Sequence, residues 1–271
     1  DRINVGKYLE SGIQFVTRSA TKRFENLSRA ERVRMALEEL GPTFVKLGQI
    51  LSTRPDMLPA DMIAELEKLQ DDVTQVPYEQ IRSQVEEELG GPLEAVFRHF
   101  DAEPLAAASI GQVHRARLVD GGEVIVKVRR PGVSTQVEVD LEILHRLATL
   151  MEEHVEEARF FRPVKIVEEF ALTLENEIDY SLEASYAERF ANQFRDNPAI
   201  YVPSVYRDYS TQRVLVMEYV DGVKASKLDR LDREGYDRSL IAEQGADLLL
   251  AQIFDHGFFH ADPHPDRKSV V

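Results

Sequence analysis

Apolar and polar positions divide this chain into a helical first part, a central block of alternating residues, and a helical remainder that runs into a polar loop. Residues 1–100 read as helices. Ser28-Arg29-Ala30-Glu31 has the form of a capping box, and Val33, Ala36, Leu37 and Leu40 follow at helical spacing until Gly41-Pro42 stops the turn. In the next helix Phe44, Leu47, Gly48 and Leu51 make one apolar stripe, while Lys46 and Gln49 share a different face. Gly48 admits close packing there, at about 1 kcal/mol of helix propensity relative to alanine. Further helices are expected at 60–70 (Met62, Ile63, Leu66, Leu69) and at 77–89 (Ile81, Val85, Leu89), the latter closed by Gly90-Gly91-Pro92. A short one follows through Leu93, Val96, Phe97 and Phe100.

The pattern then changes to period two. Gln112–Val119 and Glu123–Val128 flank Asp120-Gly121-Gly122, which predicts two antiparallel strands joined by a tight turn. Alternation puts Lys127 on the face of Ile125, opposite Val124, Val126 and Val128. Ahead of the strands runs a series of small residues, Ala106 to Gly111, whose backbone N–H groups a bound group could approach closely. A strand lysine opposite such a loop presents one positive charge to a phosphate; an ordinary surface hairpin is the alternative on this stretch alone. Ser134 is expected to cap a long helix with the stripe Val137, Leu141, Leu144, Ala148 and Met151.

Val164–Phe194 reads as one more helical stretch packed through Ile178, Leu182, Tyr186, Phe190 and Phe194. It also carries Glu177, Asp179 and Glu183, three carboxylates that repel one another unless cations lie opposite. Pro203–Tyr209 and Gln212–Val220 read as two strands, the second broken by Asp221-Gly222. A helix over Leu240–Phe254 then leads into Asp255-His256-Gly257-Phe258-Phe259-His260-Ala261-Asp262-Pro263-His264-Pro265. Two prolines and three histidines around one aspartate form a rigid polar loop of the kind that holds catalytic groups.

Composition narrows the function classes. A net charge of -15 argues against nucleic acid as a partner. The first 50 residues hold nine Lys/Arg and six Asp/Glu, net +3, so peripheral contact with an anionic lipid surface is compatible with that end. There is no cysteine, hence no disulfide and no thiolate metal site. No apolar run of 18 residues is present, so no transmembrane segment is expected, and the opening on Asp1 reads as a fragment or processed form.

Small-residue loop, strand lysine, helix glutamate, apolar strand leading to a connector, helix, then His-x-Asp is the element order of protein kinases. Lys46-Leu47-Gly48-Gln49, Ala106-Ala107-Ala108-Ser109, Glu177-Ile178-Asp179 with Glu183, and His260-Ala261-Asp262-Pro263-His264-Pro265 together resemble the UbiB-type atypical kinases, the aarF-domain family of coenzyme Q biosynthesis. The likeness spans about residues 20–265. It implies an α+β, protein-kinase-like fold with a helical extension over 1–100, a small β-sheet N-lobe with inserted helices over 101–220, and a connector and partial C-lobe over 221–271 that ends after the catalytic loop.

The resemblance further implies that Lys127 holds the phosphates of ATP or ADP and pairs with Glu183. The loop Ala106, Ala107, Ala108 and Ser109 would cover the nucleotide, Ile125 would line the adenine pocket, and Glu218, Tyr219 and Val220 would supply connector hydrogen bonds. Asp262 would be the catalytic-loop aspartate. Lys46 and Gln49 would dock against Glu177 and Asp179 as an autoinhibitory contact that blocks peptides. ATP hydrolysis or phosphorylation of a small molecule, such as a prenyl-lipid or quinone precursor, is then expected in company with lipid-modifying enzymes. The expected place is the cytoplasmic side of a bacterial membrane or an organelle inner membrane.

One departure stands out. Where the family continues Gly-Asn and later Asp-Phe-Gly, this chain reads Asp266-Arg267-Lys268-Ser269-Val270-Val271. The ligands that hold Mg²⁺ in the family are therefore missing, with Asp266 the nearest carboxylate, and the metal set stays unknown. Two other readings stay open: a non-catalytic nucleotide-binding scaffold, and a hydrolase using His260, Asp262 and His264 as metal ligands.

Overall fold

The computed structural model describes residues 27–69, 75–259 and 269–270. It is a helix-rich α+β structure with a small antiparallel sheet, the class expected, and its chain divides into two compact units. One comprises Asp1–Val73 with Thr135–Ala171, the other Thr74–Ser134 with Leu172–Val271.

In the first unit the capping box forms as predicted. The Ser28 hydroxyl accepts from the Glu31 N–H, and the Glu31 carboxylate accepts from the Ser28 N–H, starting the helix Arg29–Leu40. Gly41, at φ +106°, ends it, and Pro42 opens the helix Pro42–Ser52 without losing a hydrogen bond. The predicted close approach at Gly48 is present: a Cβ there would overlap Leu69 and lie 2.8 Å from Leu37 Cδ1. The helix Ala60–Leu66 supplies Leu66 to the same cluster, with Val45 and Leu69. The long helix Val133–His154 starts one residue before Ser134, directly after Gly132 at φ +78°, so Ser134 sits inside it and does not cap it. Its stripe also differs: Met151 is exposed and Asp140 is buried.

The second unit is built on the sheet. Strands β1 (Phe97–Phe100), β3 (Gly111–Leu118), β4 (Glu123–Arg129) and β5 (Val214–Glu218) lie in that order, all antiparallel, and β2 (Ala106–Ala107) pairs with β3. The β3–β4 hairpin turns as the sequence predicts. Gly121 takes φ +100°, and the Asp120 carboxylate accepts from the Gly122 N–H at 3.0 Å. Val124, Val126 and Val128 of β4 are fully buried on one face, where the helix Tyr78–Leu89 packs Ile81 and Val85 against them. Each such side chain contributes about 1.5–3 kcal/mol relative to exposure. A short pair, β6 (Val223–Lys224) with β7 (Ser269–Val270), lies apart from this sheet.

Three expected elements are corrected. Phe97–Phe100 is a strand, not a helix; a bulge between Phe97 and His99 turns both phenylalanines to the core, which imitates helical spacing. Pro203–Tyr209 forms only an isolated bridge, Val205 to Met217, and a 3₁₀ turn at Arg207–Tyr209. Two backbone bonds to β5 remain, Tyr206 N–H to the Val216 carbonyl and Glu218 N–H to the Ser204 carbonyl, and side chains add to them, the Ser210 hydroxyl accepting from the Val216 N–H and the Glu218 carboxylate from the Ser204 N–H. The stretch Val164–Phe194 is two helices, Pro163–Ile178 and Tyr180–Gln193, interrupted at Asp179. The last predicted helix runs Arg238–Leu250 and ends in a π turn over Ala251–Asp255.

Behind β3 a buried polar chain links three segments. The Val76 N–H donates to Gln112 Oε1, Gln112 Nε2 donates to His114 Nε2, and His114 Nδ1 donates to the Asp101 carbonyl at 2.9 Å. Only neutral imidazole satisfies this chain, because a protonated Nε2 would face another donor. Burial, the larger effect, pushes the His114 pKa below its usual value against the opposing Asp101 carbonyl. Below about pH 6.5 the unfolded chain therefore takes up a proton that the folded chain refuses. Stability falls there by up to about 1.4 kcal/mol per pH unit, down to the folded-state pKa. Urea unfolding at pH 7.5 and 5.5 should show that loss in the parent and a flatter profile in His114→Gln; equal profiles would exclude His114 as the cause.

Candidate functional site

The second face of the sheet carries the candidate chemistry. Glu123, Ile125, Lys127 and Arg129 alternate onto it from β4. Register aligns Ala106, Val113, Lys127 and Leu215 in one cross-strand row, and Arg115, Ile125 and Met217 in the next. Lys127 thus stands one strand from the alanine hairpin, with Ile125 two residues nearer the connector.

The helix Tyr180–Gln193 lies against this face, and its start is fixed by four hydrogen bonds. The Asp179 carboxylate accepts from the Ser181 N–H at 2.8 Å and from the Ser181 hydroxyl at 2.6 Å, capping the helix. The Tyr180 N–H donates to the Gln212 carbonyl at 3.1 Å. Arg129, whose side chain leaves β4 on the side of Lys127, donates to the Ile178 carbonyl at 2.8 Å and closes the preceding helix. One turn on, Glu183 accepts from Lys127 Nζ at 2.6 Å. The Lys127 ammonium also lies 4.7 Å from the centroid of the Tyr180 ring. Tyr180 packs with Ala184 and Leu215, and burial, followed by the nearby Glu183, pushes its phenol pKa well up, so the hydroxyl stays protonated.

The alanine hairpin is tightly held. The Ala108 N–H donates to the Gly111 carbonyl at 2.8 Å, Arg130 Nε donates to the Ala108 carbonyl at 3.1 Å, and the Arg130 N–H donates to Ile110. No residue from Ala106 to Ser109 takes a left-handed backbone. Ser109 is buried, and the Ala108 N–H is used inside the hairpin, contrary to the open backbone the small residues suggest. At the connector the Glu218 N–H is bonded to Ser204 and the Tyr219 N–H to Glu123, so of the three expected donors only the Val220 N–H has no partner among the described residues. The Glu218 carboxylate accepts from the Tyr201 hydroxyl, which holds its pKa below the usual range. The Arg115 guanidinium covers the Tyr219 ring at 4.2 Å.

Lys127, Glu183 and Ile125 therefore share one face, with the alanine hairpin across β3 from Lys127 and the connector at the end of β5, where Glu218 aligns with Val124 of the other face. Asp179 is a helix cap. Glu177 is half-buried near the end of the preceding helix. Lys46 and Gln49 belong to the first unit, where Gln49 Nε2 donates to the Leu69 carbonyl at 3.3 Å. Asp262, with His260 and His264, lies outside the described residues. Among the described residues no three His, Asp or Glu side chains converge as a metal site. Tyr180, Gly111 and Arg129 were not singled out from sequence; the signals were a tyrosine three residues before Glu183, a glycine closing the alanine run, and an arginine two after Lys127.

No helix among the described residues is long and apolar enough to cross a membrane. Residues 68–266 match the ABC1 atypical kinase-like domain. "Probable protein kinase UbiB" of Marinobacter nauticus is 42% identical over 244 residues, which cover 90% of this chain and 45% of that relative. "Protein ACTIVITY OF BC1 COMPLEX KINASE 8, chloroplastic" of Arabidopsis thaliana is 47% identical over 233 residues, covering 85% of this chain and 30% of that protein. Among solved structures, Rv3197 of Mycobacterium tuberculosis in complex with erythromycin is 26% identical with a TM-score of 0.62, covering 97% of this chain and 63% of its own. The chain thus spans under half the length of those two curated relatives, and from the extent and identity of these matches it belongs to the ABC1 atypical kinase-like family.

Proposed function

We propose that this chain is the nucleotide-binding part of a UbiB-type atypical kinase or ATPase, serving ubiquinone or other prenyl-lipid biosynthesis. The observation that carries the reading is the 2.6 Å pair of Lys127 and Glu183 on the sheet face beside the alanine hairpin. In this reading Lys127 meets a phosphate of ATP or ADP, and Ile125 and Met217 flank the base. The Val220 N–H is the remaining connector donor, and Asp262 orients the attacking hydroxyl or water. A prenyl-lipid or quinone precursor would be the acceptor or effector.

A second reading, a nucleotide-binding scaffold without turnover, is favoured by one observation. Asp266-Arg267 stand where the family places its Gly-Asn. Phosphate release from ATP by a chain that includes an Asp-Phe-Gly segment, lost on Asp262→Asn, supports the enzyme. Saturable nucleotide binding with no turnover in that same chain supports the scaffold.

The alanine hairpin carries a separate expectation. A Cβ at each position disfavours left-handed backbone by about 1–2 kcal/mol per residue, so the hairpin stays extended and does not wrap a terminal phosphate. Ala107→Gly should shift the ratio of ADP to ATP affinity, read by titration calorimetry. Parent-like ratios would separate the hairpin from nucleotide choice.

A further inference from the structure

Tyr180 is among the largest fully buried side chains of the described residues, at 1% exposure, and three parts of the site meet on it. Its ring faces the Lys127 ammonium at 4.7 Å. It lies three residues before Glu183 in one helix, so both project to the same side. Its hydroxyl reaches the base of the alanine hairpin: a Cβ on Gly111 would overlap it, and that Cβ would also come within 2.8 Å of the Val128 carbonyl oxygen. The hydroxyl has no hydrogen-bond partner among the described residues. A phenylalanine would pack equally well without leaving a buried polar atom unmatched, so packing alone does not account for the hydroxyl.

We propose that Tyr180 is a positioning residue of the nucleotide site, setting the distance between the hairpin and the lysine. Its ring holds the Lys127 ammonium toward Glu183, and its hydroxyl supports the backbone at Gly111. This fixes which phosphate of a nucleoside di- or triphosphate the ammonium reaches. The inference rests on the reading of Lys127 as a phosphate-binding group, but the placement of Lys127 can be tested without nucleotide.

The test uses the 271-residue chain with Tyr180→Leu and Tyr180→Phe, folding being checked by circular dichroism. The first measurement is the rate at which an amine-directed acylating reagent modifies Lys127, followed by peptide mass spectrometry without nucleotide. Tyr180→Leu should raise that rate about fivefold, the size of a lost cation–π attraction, and Tyr180→Phe should bring it back toward the parent. The second is calorimetric titration with ADP and with ATP, in which Tyr180→Leu should change the affinity ratio by about threefold or more. If Tyr180→Leu does not fold, Tyr180→Met replaces it under the same criteria. An unchanged acylation rate overturns the inference whatever the titrations give. A parent chain that binds neither nucleotide overturns the nucleotide reading of the site instead, and the acylation result still decides the placement by Tyr180.

Discussion

Lys127→Met is expected to weaken adenine-nucleotide binding by about tenfold to a hundredfold while changing folding stability by less than about 1 kcal/mol. The two magnitudes separate because the group faces both ways. Toward the protein, Lys127 and Glu183 form a close pair, but their side chains are 32% and 44% exposed, and water screens most of the attraction. Toward a ligand, the ammonium would be the charged donor to a phosphate, an interaction worth about 1.5–3 kcal/mol. Titration calorimetry gives the first quantity and urea unfolding the second. Unchanged affinity would mean that phosphate does not meet Lys127. A stability loss well above 1 kcal/mol would make the pair a structural device.

Gly111→Ala is expected to cost about 1–3 kcal/mol of stability and to lower the melting temperature by several degrees. The added methyl would meet the end of a buried, rigid ring and a backbone carbonyl, and neither yields as a flexible side chain does. Gly91→Ala is the control, because nothing lies within 4 Å of a Cβ there and its φ is not positive. Tyr180→Phe should relieve part of the cost of Gly111→Ala by removing the hydroxyl and leaving the close Val128 carbonyl and an ordinary 3.5 Å contact with the ring. Thermal unfolding of the four variants measures it, and a Gly111→Ala protein as stable as Gly91→Ala would show that the hairpin base can move aside.

Much of the sheet was legible because alternation is a local property: Val124, Val126 and Val128 could face the core only if Ile125 and Lys127 faced away. Gly48 was legible for a similar reason, being the one small residue in an otherwise bulky stripe. The family resemblance supplied the partnership of Lys127 with Glu183, which lie 56 residues apart and which no periodicity connects. Tertiary contacts overrode the local pattern elsewhere. Asp179 sits within a helical apolar rhythm, and only the cap to Ser181 and the clamp from Arg129 show that the helix stops and restarts there. Phe97 and Phe100 kept a helix-like spacing through a bulge. Tyr180 escaped notice because it falls outside the stripe of Ile178 and Leu182, and its importance comes from Gly111, which is distant in sequence.

The clamp from Arg129 has a bearing on control. Many switches of this general kind work by swinging an acidic residue out of reach of its basic partner, through rotation or a piston-like slide of the segment that bears it. Here that segment is pegged at its first residue to Gln212, just ahead of β5, and the carbonyl two residues earlier is held by Arg129 at the end of β4. Such a slide would first have to pull both pegs, so any off state is more readily reached by obstructing entry to the pair than by dismantling it.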